Sequence, residues 1–379
     1  MSFCKPTRPG RDALALCWAA GLTLPLSAAG QTLDPWRPRT APLYGVSYAP
    51  DVGLLIGVGL VHTRYAFRAL PPSTRLLVHA AYATRAHTYG GQIEGEFRGP
   101  LAPAILTIEV RASGLEIIRF YGFGNESDAS QPDSVYQVRQ KQFVLAPTVS
   151  VTLAPRVRLA VGPLVKYAHT QPDSGTLLTR TGPYYGAGDF GQVGARAVLE
   201  LDTRDSREAA AQGVYLRLAA QGYPTAWDAA AGFATLSAEA STYLSAGDPP
   251  TATIALRLAG AGVTGRLPFH EVVFVGGETT VRGYAEQRFA GRRGAYANAE
   301  LRLRVARPSV GDIGLFGLAD VGRVWVPGGV GGASSDRWHG AAGGGLWFAW
   351  RHRRANTVSI AAAKSPERTA IYVRAGFLF

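Results

Sequence analysis

The sequence predicts an all-β fold, a transmembrane antiparallel up-and-down β-barrel of about 16 strands. Three observations carry that prediction. The chain opens with an export signal; small residues mixed with Leu and Val recur on one face of ten-residue alternating stretches; and 16 Tyr, 15 Phe and 7 Trp fall near the ends of those stretches. With 47% hydrophobic and 17% charged residues, composition alone would suit a globular chain. After the first thirty positions, however, no run of roughly 20 apolar residues occurs, so a membrane span must be made of strands.

The leader comes first. Lys5, Arg8 and Arg11 form a positive segment, Ala13 to Leu26 an apolar one, and Ser27, Ala28 and Ala29 the small residues that a signal peptidase reads. Residues 1–30 are therefore expected to be a cleaved signal peptide and residues 31–379 a single barrel domain. Pro25 argues against a core helix, and Leu16, just before Cys17, against a lipid-anchored cysteine. Both cysteines, Cys4 and Cys17, lie in the leader. The mature chain would have no thiol, which excludes disulfides, thiolate metal sites and cysteine nucleophiles. The net charge of +12 becomes +10 when Lys5, Arg8, Arg11 and Asp12 leave with the leader. These cations are dispersed singly, without the basic, aromatic-interleaved run of a nucleic-acid site.

Sixteen alternating segments follow. The first eight are residues 41–50, 53–66, 74–86, 88–98, 103–113, 135–154, 156–169 and 191–203. The rest are 213–224, 228–246, 250–265, 294–306, 311–326, 338–352, 355–364 and 370–379. Their two faces differ strongly: Ala297, Ala299, Leu301, Leu303 and Val305 oppose Tyr296, Asn298, Glu300, Arg302 and Arg304. An even count suits a closed barrel with both termini on one side. Short links at 69–73, 99–102, 154–155 and 307–309 would be periplasmic turns. The long Gly/Pro-rich links at 114–134, 170–190, 266–293 and 327–337 would be extracellular. Phe120 to Gly124 read as a rigid aromatic surface loop. The last strand places Ile371, Val373, Ala375, Phe377 and Phe379 on one face and resembles the terminal signature of outer-membrane barrels. Tyr44 and Gly45 in the first strand, with Gly376 and Phe379 in the last, mark a weak seam, because glycine weakens strand pairing.

The most specific motif is Phe274 to Tyr284, with Gly276, Gly277, Val281, Arg282, Gly283 and Tyr284 at its centre. It resembles the Val-Arg-Gly-aromatic loop of the BamA/TamA superfamily, the bacterial surface antigen barrels. The resemblance extends over the mature chain and is strongest in its last hundred residues. It implies that this sixth extracellular loop folds into the lumen. It also implies partners for Arg282, namely Glu300 in the Asn-x-Glu pattern of the twelfth strand and Asp320 in the Asp-x-Gly-x-x-Trp pattern of the thirteenth. Asp202 to Ser206 is a further family-like feature. Independently of family, a guanidinium suits the task of anchoring a loop to lumen carboxylates, the glycines permit tight turns, and Tyr284 could fill space beside the guanidinium. Whether such a plug is a latch or a strut stays open at this stage. Only about a dozen residues separate the expected cleavage site from the first strand. The chain thus reads as the barrel-only branch, without periplasmic POTRA domains.

Other chemistry finds little support. Gly260 to Gly265 match a dinucleotide-site spacing but are followed by Leu267-Pro268 and a loop, so no helix N-terminus would hold a pyrophosphate. The seven histidines lack metal-ligand spacing, and neither a metal, a cofactor nor an enzyme activity is expected. The resemblance implies a role in outer-membrane biogenesis, by protein insertion or translocation through the seam. Its expected partners are outer-membrane lipids and lipopolysaccharide, unfolded outer-membrane protein clients and a separate periplasmic module, around a monomeric barrel. A passive or gated pore and a surface antigen without transport role are the alternatives.

Overall fold

The computed structural model describes residues 37–66, 71–99, 101, 103–207, 209–326, 337–351 and 353–379. The expected signal peptide lies outside them. Sixteen strands form one closed antiparallel barrel. The first eight are β1 (Arg39–Ala49), β2 (Gly53–Arg64), β3 (Thr74–Ala83), β4 (Thr88–Phe97), β5 (Ile105–Ser113), β6 (Arg139–Ala154), β7 (Val157–Gln171) and β8 (Asp189–Asp202). They are followed by β9 (Gly213–Tyr223), β10 (Phe233–Ala246), β11 (Ala252–Gly265), β12 (Arg293–Ala306), β13 (Gly311–Trp325), β14 (His339–Trp350), β15 (Arg353–Lys364) and β16 (Thr369–Ala375). Each pairs with its sequence neighbours, and β1 meets β16 to close the wall. Every alternating segment of the sequence corresponds to one strand.

The direction of the two faces follows from exposure. Leu301 and Leu303 are 46% and 41% exposed, whereas Glu300 and Arg302, which alternate with them, are 2% and 3% exposed. Leu54, Ile56, Val58 and Leu60 repeat the pattern on β2, and Leu256 and Leu258 on β11. Apolar side chains thus coat the outside and polar ones the enclosed interior, the arrangement a lipid solvent requires. Among the described residues no helix is long and apolar enough to cross a membrane.

The rim bearing the short links at 155–156, 247–251 and 307–310 lies opposite the rim bearing 114–138, 172–188 and 266–292. Two long loops turn inward. In the 266–292 loop, hereafter loop 6, Val273–Val275 and Phe289–Gly291 form a short two-stranded ribbon. The 114–138 loop corrects the expectation of an aromatic surface loop. Phe120 is fully buried and meets Phe123, Tyr184 and Phe269 edge to face at 5.4, 5.4 and 5.5 Å. Asn125 is buried too: its amide Nδ2 donates to Val324 O at 3.0 Å and its Oδ1 accepts from Val324 N at 2.8 Å. Aromatic rings that could lie on the surface instead bury apolar area against loop 6, and Asn125 satisfies a strand-end backbone that would otherwise be orphaned.

The C-terminus is a second correction. Phe377 and Phe379 do not continue the outward face of Ile371. Gly376 has φ +80°, which only glycine adopts freely, and there β16 ends. Gly376 N donates to Thr357 O at 2.7 Å. The remaining three residues turn into the lumen, where Phe377 meets Phe316 and Trp347, and Phe379 meets Tyr243.

Candidate functional site: the loop 6 anchor and the seam

Arg282 is 3% exposed and every hydrogen bond it donates goes to a carboxylate. Its Nε and Nη2 donate to the two carboxylate oxygens of Asp320 at 2.7 and 2.8 Å, and its Nη1 to Glu300 Oε1 at 2.6 Å. The Arg282 backbone N donates to Asp320 Oδ2 at 3.0 Å. Asn298 completes the cradle, giving its amide protons to Thr280 O at 2.7 Å and Asp320 Oδ1 at 2.9 Å. The inward alternation of β12 and β13 places these groups together: Asn298 pairs with Asp320 in register, and Glu300 lies two residues along the same face. Burial disfavours the Arg282 cation, but the hydrogen bonds to Asp320 and the charges of Glu300 and Asp320 overcome that cost and hold it protonated.

The glycines serve turns and close approach. Gly276 and Gly277 have φ +112° and +100°. Gly276 N donates to Thr280 Oγ1 at 2.7 Å, and Gly277 N to Val281 O at 3.2 Å, so the segment closes on itself before Arg282. On the facing wall Gly322 leaves room for the loop, since a Cβ there would lie 2.7 Å from Val281 and 2.9 Å from Val275. Val281 is fully buried in this contact. Tyr284 reaches β14, where its ring meets Phe289 and His339 at 5.2 and 5.8 Å and its hydroxyl donates to Gly340 O at 3.3 Å.

The seam is nearby. β1 and β16 share a single register pair, Tyr48↔Val373. Tyr44 and Gly45 pair with Val58 and Gly57 of β2 only, and Tyr44 is exposed. Gly376 and Phe379 take no part in pairing with β1, because the chain has already turned inward. Loop 6 is also fastened to the last strand. Gly283 N donates to Tyr372 Oη at 2.9 Å, Ser365 Oγ to Gly283 O at 2.8 Å, and Glu278 lies 3.7 Å from the Arg374 guanidinium.

Further contacts tie the anchor and loop 6 to the rest of the lumen. Glu300 is shared: its second oxygen accepts from Arg302 Nε at 2.9 Å. Arg302 in turn donates to Phe379 O at 2.9 Å and Ala210 O at 3.2 Å, and its guanidinium lies 3.8 Å from the Phe377 ring centre. The anchor is thus wired through one carboxylate to the C-terminus and to the turn after β8. There Asp202 accepts from Arg204 Nε and Nη2 at 2.9 and 3.0 Å, and Asp205 Oδ1 accepts the Ala211 N–H at 2.9 Å. Lys166 on β7 and Glu271 in loop 6 pair at 3.0 Å, holding the far side of the loop. Within loop 6, Glu286 is half-buried beside Asp51 and Glu278; desolvation first, and the Asp51 charge second, push its carboxyl up to about 8.

Comparison with known proteins agrees with this architecture. The model of the Omp85 superfamily domain matches residues 105–351. No curated protein matches the chain by sequence. Among solved structures, BamA from Haemophilus ducreyi lacking POTRA domains 1–3 superposes with a TM-score of 0.66 at 13% identity, covering 90% of this chain and 71% of that one. CdiB from Escherichia coli gives 0.56 at 13% identity over 92% and 64% of the two chains. CdiB from Acinetobacter baumannii gives 0.51 at 12% identity over 90% and 59%. This chain therefore spans less than two thirds of either CdiB, and identities this low establish a common fold.

Proposed function

The chain belongs to the Omp85 superfamily and sits in the bacterial outer membrane; from that premise we propose that it acts in outer-membrane biogenesis, admitting polypeptide clients through the β1–β16 seam. The observation that carries this reading is the seam itself. A barrel is stabilised by closing every strand edge, yet here the closing edge shares one register pair where its neighbours pair along their length. An edge of that kind is the cheapest place to part the wall, and an unpaired strand edge is also a template for an incoming strand.

On this reading loop 6 braces the last strand against the β12–β13 wall through Arg282, while the C-terminal residues leave the seam short. Unfolded outer-membrane proteins are the clients, a separate periplasmic module delivers them, and outer-membrane lipid and lipopolysaccharide surround the exterior. The test uses a disulfide across the seam. With Tyr48→Cys and Val373→Cys, barrels reconstituted in liposomes are given a urea-unfolded eight-stranded outer-membrane barrel, and its folding rate is followed by heat-modifiable mobility. Acceleration should vanish on oxidation and return on reduction. Undiminished acceleration by the crosslinked barrel removes the seam mechanism.

One observation favours the pore instead. A cavity of about 200 Å³ lies between loop 6 and the wall, lined by Arg111, Lys166, Arg217, Glu116 and Glu239. If the loop is a constriction, bilayer conductance rises when Arg282 is replaced by Ala; if it is a brace, client folding is what changes.

A further inference from the structure

The seam has a single backbone register pair, so something else must help keep it shut, and the long-loop end supplies a candidate in side chains. Asp51 follows β1 by two residues and Arg368 immediately precedes β16, so the two stand on opposite flanks of the seam. Arg368 Nη1 and Nη2 donate to Asp51 Oδ1 and Oδ2 at 3.1 and 2.5 Å, a two-pronged pair in which the Asp51 side chain is 3% exposed. Paired hydrogen bonds between a planar fork and a carboxylate fix direction as well as charge. Because Asp51 is buried, solvent screens the pair little.

Loop 6 grips both partners. Glu286 N donates to Asp51 Oδ2 at 3.0 Å, and Arg368 Nη2 also donates to Tyr284 O at 2.7 Å. From the 114–138 loop, Arg119 approaches Asp51 Oδ1 at 3.5 Å. The ion pair is thus assembled only where the two flanks of the seam and the stretch just after Arg282 come together.

We propose that Asp51 and Arg368 form a clasp that closes the long-loop end of the β1–β16 seam, set in place by residues 284–286 of loop 6. The clasp deepens the seam reading above and rests on it. Its consequence is an order of events: loop 6 shifts, the carboxylate and guanidinium lose their backbone partners, and only then do β1 and β16 part. Buried ion pairs are costly to break from one side, so removing either partner should leave the seam open for a larger share of the time.

The Tyr48→Cys/Val373→Cys barrel measures this directly. In a short oxidation pulse, the rate of disulfide formation reports how much of the time the two positions face each other. Scoring only the folded, heat-modifiable band, Asp51→Asn and Arg368→Gln should each slow formation about tenfold, and the double variant should be no slower than the slower single one. Arg368→Lys, which keeps the charge but loses the fork, should fall several-fold and carries the test should the other variants not fold. Formation at the parent rate in the variants, or additive losses in the double variant, would overturn the clasp. The readout needs no client. A clasp variant that opens the seam without altering client folding upholds the clasp and sinks the assembly role, whereas an unaltered seam sinks the clasp and leaves that role standing.

Discussion

The β12–β13 wall and the β1–β16 seam are two junctions of one sheet, joined by opposite means. β12 and β13 pair from Arg293↔Trp325 to Ala306↔Ile313 with one bulge, and on this continuous ladder the interior residues Asn298, Glu300 and Asp320 hold fixed spacing. β1 and β16 share Tyr48↔Val373 alone and are bridged by side chains from the 50–52 and 365–368 links. A backbone ladder is strong in aggregate and insensitive to any one residue, while a side-chain bridge concentrates its strength in a few groups. The first suits a platform on which a loop is anchored. The second suits a junction that must part and re-form.

The largest way to break this contrast is Arg282→Ala. It leaves the β12–β13 ladder intact but strips the buried Asp320 of its cation, with Asn298 still donating to it, while Glu300 keeps Arg302. Removing one side of a buried pair costs about 3–5 kcal/mol. The denaturant midpoint of the purified barrel should fall accordingly, and protease should gain access to residues 266–292. Arg282→Lys should recover part of the loss, because one charge remains but the two-pronged contact to Asp320 does not.

Proton uptake gives the next effect, and its sign is unusual for a carboxylate. Glu286 has an ordinary value of 4.5 and is pushed up to about 8 in the folded loop, chiefly by burial and then by Asp51. The folded state therefore binds a proton that the released loop does not, so docking is favoured below about pH 5 and weakens as pH rises toward 8. Asp51 runs the other way. Burial raises its carboxyl, but the Arg368 hydrogen bond and charge, the Glu286 amide and Arg119 together bring it below its ordinary value, so its contribution is lost only in acid. Hydrogen exchange of residues 276–287, corrected for the intrinsic pH effect, should speed up between pH 6 and pH 8 by no more than about tenfold per unit. Glu286→Gln should flatten that slope.

Gly322→Ala sharpens the comparison from the wall side. The added methyl meets Val281 and Val275 at 2.7 and 2.9 Å while leaving every ion pair in place. Overpacking of this kind costs about 1–3 kcal/mol. The loop should show faster amide exchange while the β12–β13 strand amides stay protected.

Much of this was legible in the linear chain, and the reason is periodicity. Each strand has an outside and an inside two residues apart, so Leu301 and Leu303 against Asn298, Glu300 and Arg302 already state which face is which. The anchor was legible through the resemblance of the motif around Arg282. What stayed hidden has no period. Asp51 and Arg368 are 317 positions apart and lie in links of a few residues, where nothing in composition marks one as the other's partner. Phe120 and Asn125 sit in a loop whose aromatic content suits a surface or a core equally well. Gly376 in sequence marks a weak point in pairing, but its positive φ instead ends the strand and carries Phe377 and Phe379 out of the seam. Arg302 offered one usable signal: it shares an inward face with Glu300, two residues away.

The smallest expected effect tests whether anchor and seam are coupled at all. Tyr372 belongs to the seam strand, is 2% exposed, and accepts the Gly283 N–H beside Arg282. Tyr372→Phe keeps the ring and removes only that acceptor. The orphaned N–H should cost about 1 kcal/mol, too little to undock a loop still held by Glu300 and Asp320, so the Arg282 contacts and the denaturant midpoint should change marginally. The Tyr48→Cys/Val373→Cys disulfide should nevertheless form more slowly, because β16 has lost one of its ties to the β12–β13 platform. If the midpoint moves and disulfide formation does not, the hydroxyl serves stability alone and the two junctions act independently. If disulfide formation slows while the midpoint holds, the loop transmits its position to the last strand through this hydrogen bond.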